Sequence, residues 1–209
     1  EISKIFEQNG AFFEIQPGFD FVNFSIYSLS KNLYKLLDVI EDVLLRPSFS
    51  EQEVATQKSI QIQNLKVNKE KNSFLASRLF RNKIFGDDHP YGKITDVADI
   101  ESIERDHLLD FFNSHLKNNF EVVVSGRFTS EELSLLKNFF GSVKKKRFEE
   151  FHFTTPKVYE NYMLDKSESL QSSIRIGKPT ISKQDEDYPT LLICNEILGG
   201  YFGSRLMQN

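Results

Sequence analysis

The hydrophobic pattern changes period along this chain, and that change constrains the fold more than any other feature. Val22, Phe24 and Ile26 alternate with Asn23, Ser25 and Tyr27 inside an extended stretch from Phe12 to Ser28. This two-residue period is that of a half-buried strand. Pro17-Gly18 marks a turn just before it. On either side the period lengthens to a helical one. Ile2, Ile5 and Phe6 share one helical face, closed by Gly10. Leu33, Leu36, Leu37, Ile40, Val43 and Leu44 form an amphipathic helix that has to stop before Pro47. Ser50 with Glu53 has the pattern of a capping box, opening a long polar helix toward Asn72. Phe74 to Phe85 carries Leu75, Leu79, Phe80 and Ile84 at helical spacing, and Gly86 to Gly92 is a loop by composition. Leu108, Leu109, Phe111, Phe112 and Leu116 mark a further helix. Val122 to Val124 read as a short buried strand ending at Gly126. Thr129 with Glu132 repeats the capping pattern for a helix over Leu133, Leu136, Phe139 and Phe140, stopping at Gly141. Strands separated by pairs of helices predict α+β layers rather than a doubly wound parallel sheet.

Beyond Gly141 the character shifts. Lys144, Lys145, Lys146 and Arg147 precede an aromatic and threonine-rich stretch up to Pro156. This predicts a first domain over 1–147, a linker over 148–156 and a second domain starting at 157. In the second block, Val158–Leu164 and Ser169–Ile176 read as strands and Tyr188–Leu198 as a helix. Gly199-Gly200 breaks that helix, and another begins near Ser204. At about 150 residues per domain, 209 residues leave the second block incomplete. Glu1 already sits in a helical pattern, so the chain reads as a piece of something longer.

The search for chemistry among the residues ends without a catalytic constellation. A single cysteine allows no internal disulfide, and Cys194, in the apolar run after Leu191, reads as a small buried hydrophobe. Thirty acids against 26 bases give a net charge of -4, which argues against nucleic acid. The run Lys144 to Arg147 is balanced at once by Glu149 and Glu150 and reads as a solvated linker. No apolar run approaches the ~18 residues of a membrane span. The histidines, His89, His107, His115 and His152, form neither a His-x-x-x-His nor a His-x-x-Glu-His pair. His107 and His115 read as flanking an amphipathic helix. Gly203-Ser204-Arg205 is not a nucleophile elbow, and Gly199 and Gly200 lack phosphate-loop spacing.

Three segments in order resemble the M16 family of zinc metallopeptidases, of the mitochondrial processing peptidase type. They are Glu1-Ile2 through Gly10-Ala11; Phe85-Gly86 with His89-Pro90-Tyr91-Gly92, then Val122 to Gly126 and Phe140-Gly141; and Gln171 to Ile174 with Ile197 to Leu206. The resemblance covers essentially the whole chain. It implies a LuxS/M16 metallohydrolase-like fold, a two-layer sandwich of mainly antiparallel sheet and helices. Residues 157–209 would start a truncated second copy, and 1–147 would lack the opening strand and metal-motif helix. In active members an inverted His-x-x-Glu-His and a glutamate on a later helix hold Zn2+, and peptide adds as a strand to a sheet edge. The inverted motif would lie upstream of Glu1, and an arginine-tyrosine pair contributed by a partner subunit or second domain beyond Asn209.

One diagnostic position falls inside the chain. Aligning Phe49 and Lys58 with the family pattern puts the third ligand at Asn64, or at Gln63 with a one-residue slip. Neither is a carboxylate, and Glu70 would need a shifted helix. The resemblance therefore implies the inactive-domain type, with no catalytic residue, no metal ligand and no cofactor of its own. His89, Tyr91, Gly92, Gly199, Gly200, Ser204 and Arg205 are signature positions with structural roles. His89 holds a loop by hydrogen bonding, and Gly199-Gly200 supplies positive φ between two helices. The implied partners are peptide or unfolded polypeptide, and a second M16 domain or homologous catalytic subunit. The short bacterial branch implies a bacterial cytoplasm or periplasm without choosing between them. Two other readings stay open: a fragment of an active zinc metalloendopeptidase, and a structural M16-like subunit with no peptidase role.

Overall fold

The structure, a computed structural model, describes residues 2–117, 120–141, 160–167 and 169–208. The chain divides into two compact units, Glu1–Pro156 and Lys157–Asn209. The first opens with α1 (Ile2–Gln8), which ends where Gly10 takes φ 61, a left-handed value that glycine adopts at no steric cost. A hairpin follows. Strands β1 (Phe12–Pro17) and β2 (Val22–Tyr27) pair antiparallel, from Phe12 opposite Tyr27 to Pro17 opposite Val22. The Gly18 N–H donates to the Phe21 carbonyl at 2.8 Å inside the turn. Alternation sorts the two faces. Phe13 and Ile26 pack toward the core, where the Phe13 ring meets Phe6 edge-on at 4.9 Å. The opposite face carries the stacked Phe12–Tyr27 pair and then polar Glu14, Ser25, Gln16 and Asn23.

The helical run after the hairpin comprises α2 (Ser30–Leu33), a 3-10 turn (Tyr34–Leu36) and α3 (Leu37–Leu45). It brings Leu36, Leu37 and Ile40 onto Phe6 and Ala11, and Leu136 of α8 (Ser130–Gly141) completes this core. Past α3 the chain turns sharply. Phe49 has φ 43, a left-handed value that costs a non-glycine residue ~1–2 kcal/mol. Its carbonyl accepts Arg105 Nε at 2.8 Å, and its ring meets Phe112 edge-on at 5.9 Å.

Ser50 then caps α4 (Glu51–Lys69), its hydroxyl accepting the Glu53 N–H at 3.3 Å. No residue of α4 is buried, and its links to α6 (Val97–Glu101) run through lysines. Lys58 Nζ donates to the Glu101 and Ile103 carbonyls at 2.7 and 2.8 Å, the C-terminal end where a helix welcomes a cation. Lys69 pairs with Asp96 at 2.7 Å and holds that carboxyl below its usual range, mainly through the hydrogen bond. The remaining helices among the described residues of this unit are α5 (Asn72–Phe85) and α7 (Arg105–Phe111), the latter prolonged by a π turn over Phe112–Leu116.

Helices together with an antiparallel sheet make the α+β class observed. Several expected strands are absent among the described residues. Residues 121–125 are irregular and exposed, Val123 at 92%. Residues 160–166 and 169–182 are irregular too, with Met163, Ile174 and Ile176 exposed. An apolar run makes a strand only beside a neighbour that completes its ladder, and no such neighbour is among the described residues. The second unit contains α9 (Tyr188–Asn195), a π turn (Glu196–Gly200) and α10 (Arg205–Gln208). Cys194 is exposed rather than buried, because nothing described in this unit covers that side of α9. The basic run from Lys144, the expected linker over 148–156 and His152 lie outside the described residues.

Candidate functional site

Helix α4 carries the residues at which the resemblance expects the third ligand. Gln63 and Asn64 are both exposed, flanked at helical spacing by exposed Ile60 and Val67. Glu70 caps the C-terminal end of α4, still in helical backbone conformation and seven residues beyond Gln63. A carboxamide offers zinc a neutral oxygen, whereas structural and catalytic zinc sites use histidine nitrogen, thiolate or carboxylate. Among the described residues no three histidine, cysteine, aspartate or glutamate side chains converge as a metal cage. The amides Gln63 and Asn64 therefore do not fit a zinc-ligand position.

The described histidines have structural neighbours. The His107 Nδ1 accepts the Glu104 N–H at 3.1 Å and closes a capping box at the start of α7. His115 lies against the Phe111 ring at 5.0 Å. His89 Nδ1 accepts the Tyr91 N–H at 3.0 Å, and the His89 carbonyl accepts from Gly92 and Lys93.

That last residue belongs to a closely knit loop at the end of α5. Gly86 ends the helix at φ 83, and Gly92 returns so near that a Cβ on it would stand 2.0 Å from the Gly86 oxygen. Asn82, buried on α5, donates to Asp87 Oδ1 at 2.6 Å and to the Gly92 carbonyl at 3.1 Å. The Tyr91 ring packs against Phe85 at 5.2 Å and His89 at 4.8 Å. Its hydroxyl donates to Asp20 Oδ1 in the hairpin turn. Reading the sequence alone missed Asn82 and Arg78. Both occupy the apolar stripe of α5 with Leu75 and Leu79, and a polar residue on such a stripe is the signal of a buried hydrogen bond.

The bond to Asp20 raises the Tyr91 pKa, with partial burial and the Asp20 charge adding to it. The fold thus favours the neutral phenol. This contribution is fully present below the ordinary tyrosine value near ~10 and is lost as pH climbs through the raised value. The Tyr162 phenol is raised likewise, mainly through its hydrogen bond to Glu160. Titrating phenolate absorbance is expected to show one late component vanish in Tyr91→Phe. In Asp20→Asn it should return to the ordinary range; an unchanged profile there would mean the bond does not form.

In the second unit the glycine pair plays a different part from the one expected. Neither Gly199 nor Gly200 has positive φ; the glycines that do are Gly10, Gly86 and Gly126. Both lie in the π turn that ends α9, and a Cβ on Gly200 would first meet the Glu196 carboxylate, the end of an exposed, flexible side chain that can move aside. Ser204 is fully buried and its carbonyl accepts the Met207 and Gln208 N–H groups at the start of α10. Its hydroxyl finds no partner among the described residues. Arg205, the first residue of α10, is exposed. Gly199 and Gly200 thus end one helical turn and Ser204 and Arg205 open the next, while His89, Tyr91 and Gly92 share a loop in the first unit. Among the described residues no helix is long and apolar enough to cross a membrane.

Comparison with known proteins gives two family matches. Residues 1–88 match the model described as Insulinase (Peptidase family M16), and residues 102–209 match Peptidase M16 inactive domain. An uncharacterized zinc protease of Rickettsia bellii is 26% identical over 215 residues, covering 100% of this chain and 51% of that protein. The Bacillus subtilis protein described as probable inactive metalloprotease YmfF is 24% identical over 187 residues, covering 87% of this chain and 44% of that one. The chain thus spans about half the length of the curated relatives it matches. The crystal structure of a peptidase M16 inactive domain from Pseudomonas fluorescens superposes with a TM-score of 0.71 at 20% identity, covering 99% of this chain and 52% of that one. That likeness carries the α+β fold.

Proposed function

The chain belongs to the peptidase M16 family, and from that premise we propose that it is a non-catalytic part of an M16-type zinc peptidase, helping enclose and bind peptide. The observation that supports this reading is that Asn64, and Gln63 beside it, are exposed amides on α4 where the resemblance expects the third ligand. Without a carboxylate there, the helix adds no negative charge to a dication. The hairpin supplies a means of binding. Within the described residues β1 and β2 pair only with each other, so each leaves an outer row of backbone N–H and C=O groups available to an extended peptide. Recognition of that kind reads main chain and suits unfolded polypeptide of varied sequence. A second M16 domain or a homologous catalytic subunit would supply the chemistry.

The description of the Rickettsia bellii relative as a zinc protease favours a second reading, a portion of an active metalloendopeptidase. Elemental analysis of the full-length protein, with a fluorescently labelled unfolded polypeptide as probe, separates the two. The expected result is binding of the probe without cleavage and well under one zinc per chain. One tightly held zinc per chain, or cleavage that a chelator stops, would establish the second reading. Failure of the probe to bind would remove the peptide-binding part of the first.

A further inference from the structure

The first unit holds two packing groups. In one, α1, the hairpin, α3 and α8 share the core built on Phe6 and Leu36. In the other, α4 and α6 are stitched by Lys58 and Lys69, and Arg78 of α5 is hydrogen-bonded to the Thr95 carbonyl ahead of α6. The chain passes from one group to the other through the left-handed turn at Phe49. A second connection lies far away in sequence. It joins the hairpin turn to the end of α5, where Asp20 accepts the Tyr91 hydroxyl. The Phe19 ring lies 5.1 Å from the Tyr91 ring and 5.4 Å from the Arg81 guanidinium carbon.

The two sides of this connection differ in how firmly they are held. Tyr91 is fixed by Phe85, by His89 through both ring and N–H, and by the Asn82 bonds around Gly92. The hairpin turn has far less. Phe19 and Phe21 are 63% and 76% exposed, and Gly18 to Phe21 is the backbone bond that shapes it. A firm anchor opposite a lightly held tip is the arrangement of a catch. We infer that Asp20 and Tyr91 form a latch, which closes the hairpin tip onto the end of α5 and whose release frees the tip while both packing groups stay folded.

This inference does not rest on peptide binding and is tested without a ligand. Hydrogen exchange read by mass spectrometry on the full chain would compare the parent with Tyr91→Phe, Asp20→Asn, the double variant and Phe19→Ala. Tyr91→Phe keeps every ring contact and removes one hydroxyl, so its folding is preserved. The expected result is exchange about 10-fold faster over residues 18–24 in each single variant, since a hydrogen bond to a charged group is lost in both polar ones. The double variant should exchange no faster than either polar single, because both remove the same bond, and α3 and α4 should be unchanged. Unaltered exchange at 18–24, additive effects in the double variant, or equal acceleration across the whole unit would each overturn the latch.

Discussion

Replacing Phe6 with alanine is expected to lower the stability of the first unit by about 3–5 kcal/mol. Phe6 is 1% exposed and stands where α1, the hairpin, α3 and α8 converge. Truncation removes the ring from the edge-on contact with Phe13 and leaves a cavity that Leu36, itself fully buried, has little freedom to fill. Among the described residues the buried hydrophobic side chains are few, and Phe6 and Phe112 are the aromatic ones. A loss of this size is a large share of the ~5–15 kcal/mol that separates most folded domains from their unfolded state. Denaturation by urea, followed by far-ultraviolet circular dichroism because the chain has no tryptophan, measures it. A shift below about 1 kcal/mol would mean that the core does not centre on Phe6.

How much of this could be read from the sequence depended on whether the governing signal was local. Gly10, Pro47 and the Ser50 and Thr129 caps act within a few residues, and the helices they bound are found at those places. The hairpin was legible from the alternation of Val22, Phe24 and Ile26. Two further caps were not, because Asp96 with Asp99 and Glu104 with His107 use side chains outside the usual serine or threonine with glutamate pattern. The valine run failed for a different reason. Three consecutive valines favour extended backbone, but a strand is a property of two chains side by side, and the sequence of one says nothing of its neighbour. At the candidate site, Gln63 and Asn64 were found by alignment to a family pattern. The Asn82 bonds and the Asp20–Tyr91 contact were out of reach. The latter joins residues 71 apart, and neither residue type announces the other. The glycine pair at 199 and 200 shows the same limit, since a glycine inside a helical turn and one at positive φ look alike in sequence.

Gly92→Ala tests the loop that anchors Tyr91, and its expected cost is about 3 kcal/mol or more, at the upper end for overpacking. The added methyl would meet the Gly86 oxygen at 2.0 Å and the Gly86 carbonyl carbon and nitrogen at 3.0 Å. These are backbone atoms, so no rotamer change relieves the collision. Gly86 cannot simply retreat either, because it sits at φ 83 on the end of α5 with its N–H bonded to the Asn82 carbonyl at 2.7 Å. The loop has to open, and opening separates Asn82 from the Gly92 carbonyl, leaving a buried amide short of a partner. Gly10→Ala is the comparison that isolates the cause. Gly10 has open space around its missing Cβ, so its substitution costs only the left-handed backbone, ~1–2 kcal/mol. If close packing of the two glycine backbones holds the loop, thermal melts will place Gly92→Ala clearly below Gly10→Ala. The reverse order would show that the loop yields without strain and that Tyr91 is not firmly anchored.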